Sequence, residues 1–513
     1  MRLTTAAMFG ACQPLRPPAA SATYSRVRTT TQQTPAPPPP DVSTLVDDLL
    51  HGRLDEARAG LLAAAGPEAV LVALLAANAR LAELQADPPA SPSPSTPSGM
   101  LPVYEKAPTP RRRRKRPGAK AGHAGAHRPA PAAVDRRVEH RLGACPCCGG
   151  ELQRCNRTRT RVVEDVPEQI TPVVTEHTVH RDYCPACKKH VEPTVPDAMP
   201  NATLGHHVVA LSSWFHYGLG VTVGQVQQIL SSHLHTPVSA GGLLDGWRRL
   251  AEALFPWYEQ IGAEARAGAV LHADETGWRV AGQTYWLWCF CTGDCCYYLI
   301  DPSRGAAALQ RFFVDVYEGT LVTDFWAAYN TLWVGDRQLC LGHLLRELVK
   351  VDERNDDPEW LGFSRRLKRL VRDGLRLHKR TDFTPDRYAS RIGLINRRLW
   401  DLADAAYADP DARRLAERLG KYRDHLFTFL DTAGVPSDNN HAERQIRPAV
   451  IIRKNSLCNR SEQGAATQAV LMSLYRTLRL RGLDPTRTIA EALRTLLATG
   501  TLPPMPAAAV ADG

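Results

Sequence analysis

"AVLHADETGWRV" (residues 269–280), "TYWLWCFCT" (284–292) and "CCYYLID" (295–301) follow one another in the middle of the 513-residue chain. All three stretches are rich in β-branched and aromatic residues, which favour strands. The separators "AGQ" and "GD" are turn signals. The pattern therefore predicts an antiparallel meander of three strands.

The sequence after the meander alternates between helix-like and strand-like stretches. "PSRGAAALQRFF" (302–313) is typical of a helix, and "GTLVTDFWAAYN" (319–330) of a strand that runs into another. "RQLCLGHLLRELVK" (337–350) repeats the step from strand to helix. A meander followed by alternating elements indicates a mixed sheet flanked by helices, so we expect a multidomain α/β protein.

Composition divides the whole chain into segments. They are a disordered N-terminus (1–40), a helical segment (41–86), a Pro-rich and Arg-rich linker (87–140), a cysteine-containing module (141–200), short helices resembling a helix-turn-helix unit (201–262), the first part of the α/β core (263–345), a charged helical insertion (346–435), the second part of the core (436–480) and a C-terminal helix and tail (481–513). Gly66-Pro67 divides the helical segment into two helices, which pack on each other or pair with another chain as a coiled coil.

The net charge of +10 is concentrated in one part of the chain. Residues 111–161 carry 15 Lys and Arg against three acidic residues, which leaves the remainder close to neutral. A basic segment on a neutral body suggests a polyanion partner, most simply nucleic acid. A solvated, disordered linker explains the charge equally well. The basic run consists of Arg111, Arg112, Arg113, Arg114, Lys115 and Arg116.

The thirteen cysteines are clustered, which argues for metal binding and reduced thiols rather than disulfides. Two Cys-x-x-Cys pairs have the spacing of a tetrahedral zinc site; their members are Cys145, Cys148, Cys184 and Cys187. Cys147 could replace either partner of the first pair, and His190 is a spare ligand. The alternative is reduced cysteines in a small core. Because the sequence has no run of 18 apolar residues, we expect a cytoplasmic protein without a membrane partner.

A second cysteine group consists of Cys289, Cys291, Cys295 and Cys296. Two of them alternate with large hydrophobic residues on a predicted strand, where cysteine often acts as a small buried hydrophobe. Packing in the core is therefore favoured over a second metal site.

Three acidic residues stand at places that suggest a divalent-metal site. Asp274 comes late in the first strand of the meander, and Asp324 ends a later strand. A carboxylate among apolar strand residues is costly to bury unless it is paired or binds a cation. With Glu443 from a following helix, three carboxylates are enough to hold two Mg²⁺ about 3.5–4 Å apart for phosphoryl transfer. Each acid alone is more often a cap or an ion-pair partner, and Asp301 and Asp315 are rivals at turn-like positions.

The stretch "SDNNHAERQIRP" (437–448) places Asn439, Glu443 and Arg447 four residues apart, on one face of a helix. Ser437 or Asp438 is expected to cap this helix, and Pro448 to shorten or kink it. The bland interpretation is a solvated face with an ordinary ion pair. The cations around it, which are Arg444, Arg447, Arg453 and Lys454, favour phosphate contacts instead.

The ordered combination of "CPCCGGEL", "YCPACK", "HADETGW", "LVTDFWAAYN", "CLGHLLREL" and "DNNHAERQIRPAVIIRKNS" resembles the transposases of the insertion sequence 66 family, bacterial DDE enzymes with an RNase H-like core. The resemblance runs from about residue 41 to the C-terminus. It implies Asp274, Asp324 and Glu443 as the catalytic triad, with Mg²⁺ or Mn²⁺ as cofactor and a structural Zn²⁺. Many relatives have Gly-Tyr where this chain has Phe325-Trp326.

The implied function is cleavage of the element ends to free a 3′-OH, which then attacks target DNA. His343 and Arg346 could orient phosphate, although a capping or core role for His343 is equally consistent, and Asn439 and Arg447 are expected to support the triad. The expected partners are the terminal inverted repeats, target DNA, a second copy of the chain and accessory proteins of the element, in the nucleoid. The alternatives are a non-catalytic DNA-binding protein derived from a transposase and a structure-specific RNase H-like nuclease.

Overall fold

The computed structural model of the chain describes residues 41–50, 55–86, 131–153, 159–167 and 169–508. They belong to two compact units, one within residues 1–101 and one within 102–513. The predicted disordered N-terminus (1–40), the Arg111–Arg116 run and most of the predicted linker lie outside the described residues. None of the described helices has the length and apolar character needed to cross a membrane.

The first unit contains α1 (Val42–Leu50), α2 (Glu56–Ala64) and α3 (Pro67–Ala86). Leu45, Leu62, Ala69 and Ala73 are buried together between them. The expected break lies at Gly66, whose φ of +103° suits glycine, and Pro67 then opens α3. The sequence predicted two helices here, whereas the structure has three, and they pack on each other.

The cysteine-containing module has little regular structure. One hairpin joins β1 (Asp182–Cys184) to β2 (Lys189–Val191), with Cys184 opposite Lys189. The described residues from 131 to 181 form neither a helix nor a strand. Of the β-like stretches that the sequence predicted, this hairpin is the one pair of strands among the described residues of the module.

Four helices precede the large sheet: α4 (His206–Ser213, continued by a π-helical turn to Gly218), α5 (Val223–His233), α6 (Ala240–Ala253) and α7 (Phe255–Ala267). The side chains of Thr222 and Ser239 cap α5 and α6, as their types favour. Buried residues such as Trp247 and Ile261 share one core with the sheet. The predicted boundary at residue 262 therefore falls inside α7, because these helices pack on the sheet.

The large sheet has five strands: β3 (Val270–Val280), β4 (Gln283–Cys291), β5 (Cys296–Asp301), β6 (Tyr317–Thr323) and β7 (Val334–Leu339), in the order β5-β4-β3-β6-β7. Strands β3, β4 and β5 are antiparallel, and β3, β6 and β7 are parallel. Helix α8 (Ala306–Phe312) connects β5 to β6. The predicted meander and mixed sheet are confirmed. A 3-10 helix (Ala327–Thr331) stands where the sequence predicted a continuing strand.

The helical insertion begins earlier than predicted. Its helices are α9 (Leu341–Asp352), α10 (Pro358–His378), α11 (Pro385–Ala403), α12 (Pro410–Lys421) and α13 (Thr428–Asp431). They build a core of their own, which reaches the sheet through Val322 and Leu339. The boundary at residue 346 falls inside α9, whose buried residues Leu344 and Leu348 belong to the core of the insertion.

The chain ends with α14 (Asn440–Ser456), α15 (Glu462–Leu480) and α16 (Pro485–Thr499). Helix α14 continues through Pro448, so this proline does not end it as the sequence suggested. Helix α15 covers the edge strand β5, where Ser473 Oγ and Thr477 Oγ1 accept hydrogen bonds from two strand N–H groups. The cysteines at positions 289, 291, 295 and 296 are all buried in this core, as predicted.

Candidate active site

The register of two parallel strands brings Asp274 and Asp324 together. His272 on β3 pairs with Val322 on β6, so extending this register by two residues puts Asp274 level with Asp324. Neighbouring strands are about 4.8 Å apart. The Asp324 carboxylate accepts a hydrogen bond from the backbone N–H of Trp326 at 2.8 Å, and Asp274 accepts one from the N–H of Glu275 at 3.0 Å. Asp324 is thereby fixed directly after β6. Asp274 lies in the first half of β3 and not late in this strand, as the sequence suggested, because β3 continues to Val280 in its pairing with β4.

Asn439 attaches the start of α14 to β3 beside Asp274. Its amide donates to the carbonyl oxygen of Ala273 at 2.7 Å, and its Oδ1 lies 3.0 Å from His272 Nδ1. Its backbone N–H donates to Cys340 Sγ at 3.2 Å. Asn439 is 1% exposed. It is therefore a buried residue that joins α14 to β3, and it does not share a solvent-exposed face with Glu443 and Arg447.

Glu443 lies one turn further along α14, where two residues of α9 contact it. Arg346 Nη2 is 2.8 Å and His343 Nε2 is 3.7 Å from Glu443 Oε1. Ligand atoms of Cys340, His343 and Glu443 all lie within 4.8 Å of one another, the one such group of three or more among the described residues. Three distant parts of the chain therefore meet at one end of the sheet.

The electrostatics connect the three acids. Burial, followed by the negative charges of Glu275, Asp324 and Glu443, raises the pKa of Asp274 well above its ordinary value. Burial and the charge of Glu275 raise the pKa of Asp324 to about 6. Such shifts indicate buried carboxylates with too little positive charge around them. Ligand atoms of Asp274, Asp324 and Glu443 do not all lie within 4.8 Å of one another in the metal-free protein. A divalent cation would supply that charge, so the donor set fits Mg²⁺ or Mn²⁺.

The imidazole of His343 is also perturbed. Burial and the positive charge of Arg346 lower its pKa, while Asp324 and Glu443 act in the opposite direction. Its Nδ1 is buried without a hydrogen-bond partner among the described residues. A neutral imidazole beside the acids can therefore accept a proton or donate one hydrogen bond.

Sequence reasoning missed a cluster on the opposite face of β3. Because side chains alternate along a strand, Glu275 points away from Asp274. It forms an ion pair with Arg304 at 3.0 Å and accepts a hydrogen bond from Tyr329 at 2.8 Å. Arg304 lies over the ring of Trp326, 3.9 Å from its centroid, and so supports the turn that holds Asp324. The signal available in the sequence was a second acid directly after Asp274.

The remaining predicted residues lie apart from the acids. Arg453 donates to Thr276 Oγ1 at 2.9 Å and to a β3 carbonyl, so its guanidinium joins α14 to the sheet. Arg447 and Lys454 are exposed. The rival Asp301 is fully buried and paired with Arg311 at 2.8 Å, whereas Asp315 is exposed.

The two predicted zinc knuckles are formed as local turns. Backbone and side-chain hydrogen bonds from Cys147 and Cys148 lower the pKa of the Cys145 thiol, and those from Cys187 do the same for Cys184. Gly149 has a φ of +73°, which suits the end of such a turn. No three of the sulfur atoms in these described residues lie within 4.8 Å of one another, so the two knuckles do not meet as one ligand set.

Replacing Asn439 with alanine is expected to loosen the candidate site. The change leaves His272 and the Ala273 carbonyl without their partner, which costs about 1–3 kcal/mol of unfolding free energy. Misplacement of Glu443 should weaken the binding of Mn²⁺ at the candidate site by about 10- to 100-fold. Urea unfolding and a titration with Mn²⁺ measure the two effects. The neighbouring Asn440→Ala is the control, because the side chain of Asn440 is exposed, and equal behaviour of the two variants would remove Asn439 from the site.

Comparison with known proteins gives the class of the molecule. Residues 202–467 match the model of a family of transposases, described as Transposase IS66 family. This match covers α4–α7, the sheet, the whole insertion, α14 and the start of α15. The chain belongs to the transposase IS66 family. Membership implies an enzyme that binds DNA, cuts and joins it, and uses a divalent metal.

Curated relatives come from Sinorhizobium fredii (strain NBRC 101917 / NGR234). The uncharacterized protein y4jD is 26% identical over 402 residues, which cover 71% of this chain and 76% of that protein. The uncharacterized protein y4hP is 22% identical over 394 residues, which cover 68% and 70%. The similarity therefore extends over most of both chains.

Proposed function

We propose that this transposase cuts the ends of an insertion sequence and joins them to target DNA, with Asp274, Asp324 and Glu443 as its metal-binding triad. The observation that carries the proposal is that the register of β3 with β6 puts Asp274 level with Asp324, while the charges of Asp324 and Glu443 contribute to the raised pKa of Asp274. The order β5-β4-β3-β6-β7, with three antiparallel and then two parallel strands, supports an RNase H-like core. Asp274 and Asp324 come from the neighbouring strands β3 and β6 of this sheet.

Asp274, Asp324 and Glu443 would hold the divalent cations. When bound, these cations lower the pKa of an attacking oxygen and stabilise the negative charge on the leaving oxygen. In the cleavage step, a water oxygen forms a bond to phosphorus, and the bond from phosphorus to the 3′ oxygen breaks, which leaves a 3′-OH. In the joining step, that 3′-OH attacks a phosphate of the target strand and displaces another 3′ oxygen. Neither step needs a covalent bond to the protein.

The residues around the triad have separate tasks. Arg346 neutralises Glu443 in the metal-free protein and is half-exposed, so it can turn toward a phosphate oxygen of DNA. His343, with its lowered pKa, offers a neutral imidazole for a proton at the reacting oxygens. Asn439 and Glu275 act as positioning residues, because they hold α14 and the Asp324 turn.

The cysteine module is proposed to bind one Zn²⁺ and to contribute to recognition of the element ends. The lowered pKa of Cys145 and Cys184 favours the thiolate that zinc requires. Because the two knuckles are apart, binding of the metal would draw them together. Contacts of the module with DNA phosphates would then supply affinity, and contacts with base edges would supply sequence specificity.

Zinc content distinguishes the members of the first knuckle. Cys148→Ser is expected to lose the metal and to weaken binding to element ends by about tenfold or more. Cys147→Ser, the control at the adjacent position, should keep both. Atomic absorption and a DNA titration measure the outcome, and zinc bound equally by both variants would contradict the assignment of Cys148.

The experiment that tests the proposal is a cleavage and strand-transfer assay with the full chain. The substrate carries the sequences that flank this gene, and reactions contain Mg²⁺, Mn²⁺ or EDTA. With either metal, we expect nicking at the 3′ ends and joining to target DNA. With EDTA, we expect neither reaction. Binding without cutting would indicate a DNA-binding protein derived from a transposase, and cutting of junctions or flaps without joining would indicate a nuclease.

A further inference from the structure

Helix α10 carries a row of cations that no part of the proposed mechanism uses. We call it the cation stripe; its members are Arg365, Arg369, Arg372, Arg376 and Lys379, which is the C-cap. They follow one another at alternating spacings of four and three residues, which places them on one face of the helix. All five are exposed. At 1.5 Å per residue the stripe is about 21 Å long.

The opposite face of α10 fixes where the stripe points. Phe363, Leu367 and Leu370 are buried in the core of the insertion. The carboxylate of Asp352 at the end of α9 accepts hydrogen bonds from Trp360 at 3.2 Å and Ser364 at 2.7 Å and forms an ion pair with Lys368. The helix cannot roll without breaking these contacts, so the stripe is a fixed surface.

Acidic residues leave most of this charge unbalanced. Asp373 lies 3.0 Å from Arg398 of α11, but 4.0 Å from Arg369 and 3.6 Å from Arg376. The side chains of these two stripe arginines are 80% and 73% exposed. The side chains of Arg372 and Lys379 have no ion-pair partner among the described residues. Residues 358–403 carry 12 Lys and Arg against five acidic residues.

Helix stability does not explain such a stripe. Like charges three or four residues apart destabilise a helix, whereas a solvated face gains from alternating signs at the same spacing. Five cations on one rigid face therefore have a cost that a bound polyanion would offset. DNA offers a phosphate about every 3.4 Å of axis along each strand, so the stripe matches roughly six nucleotides of one strand.

We propose that the cation stripe of α10 binds the phosphate backbone of double-stranded DNA, independently of its sequence. The proposal rests on the proposed function, since it assigns a surface to the DNA that a transposase must hold. It places DNA contacts on the insertion between the second and third acids, in addition to the modules before the sheet. The contact is electrostatic, and lysine can replace arginine in it.

The test uses the full chain with the triple change Arg369→Gln, Arg372→Gln and Arg376→Gln. Affinity for DNA duplexes with and without the element ends is measured by fluorescence anisotropy between about 50 and 200 mM salt. We expect both duplexes to bind at least about tenfold more weakly, and the slope of log affinity against log salt to fall by about 2.7, as three phosphate contacts require. The triple change to lysine should restore most of the affinity.

A matched control removes the same charge elsewhere. Arg479, Arg487 and Arg494 are exposed on α15 and α16, and their change to glutamine should leave the salt slope nearly unaltered. Two results would contradict DNA binding by the cation stripe: an equal loss of DNA affinity in the control, or an unchanged salt slope in the stripe variant. If the wild type still cuts DNA in either case, the proposed function is unaffected. Stripe-dependent binding by a protein that never cuts DNA would support the stripe and count against the proposed catalysis.

Discussion

Glu443→Gln is expected to abolish cleavage and joining of element ends, with a loss on the order of 10³-fold or more in rate. Glutamine keeps the size of the side chain but removes the negative charge that a divalent cation needs. The variant should fold normally, because Glu443 is only partly buried and its partner Arg346 is half-exposed. DNA binding is expected to persist, since the phosphate contacts lie on other residues.

The measurement for this variant pairs the cleavage assay with a DNA titration on the same preparation. Glu417→Gln is the control, because Glu417 is exposed on α12. It should cut DNA at the wild-type rate. If Glu443→Gln retains cleavage, or if both variants lose it equally, α14 does not supply the third acid.

Asp324→Asn is expected to have opposite effects on stability and activity. The pKa of Asp324 is raised to about 6, against about 3.9 in an unfolded chain. In the metal-free protein at neutral pH, the ionised carboxylate therefore lowers the free energy of unfolding by roughly 3 kcal/mol. Asparagine removes the charge and can still accept the hydrogen bond from the N–H of Trp326. In EDTA the variant should be more stable than the wild type, yet it should not cut DNA.

The pH dependence of this gain has a defined sign. Below about pH 4 the carboxyl is protonated in both states, so the substitution has no effect on stability. The gain then grows as pH rises to about 6, the pKa in the folded protein, and is constant above it. Thermal unfolding in EDTA at several pH values measures it, with the exposed Asp315→Asn as control. A variant less stable than the wild type at pH 7 would show that Asp324 is stabilised as the anion.

The sequence predicted the parts of the site that depend on local pattern. The pattern of "LVTD" located Asp324 correctly at the end of its strand. The pattern of "AVLHADETGWRV" placed Asp274 on the correct strand but too near its end, because β3 extends to Val280. The position of Glu443 on a helix followed from the spacing of polar residues. Whether the three acids act as a triad stays a proposal, although the structure brings them to one end of the sheet.

Contacts between distant parts of the chain could not be predicted. The burial of Asn439 depends on β3, which lies more than 160 residues earlier, and Arg453 is held by β3 rather than free for DNA. Pro448 was expected to shorten or kink α14, which instead continues for eight residues beyond it while it packs on the sheet. The segment boundaries expected at residues 262 and 346 fall inside α7 and α9, because these helices pack on more than one part of the fold.

The central claim is that Asp274, Asp324 and Glu443 together hold the divalent cation that the chemistry requires. Anomalous diffraction from crystals of the full chain grown with Mn²⁺ tests it most directly, because the anomalous peak locates the metal without reference to activity. We expect the density for Mn²⁺ among the carboxylates of these three residues, and its loss in crystals of Asp324→Asn. Density bound by Cys340, His343 and Glu443 alone, or density away from Asp274 and Asp324, would contradict the account.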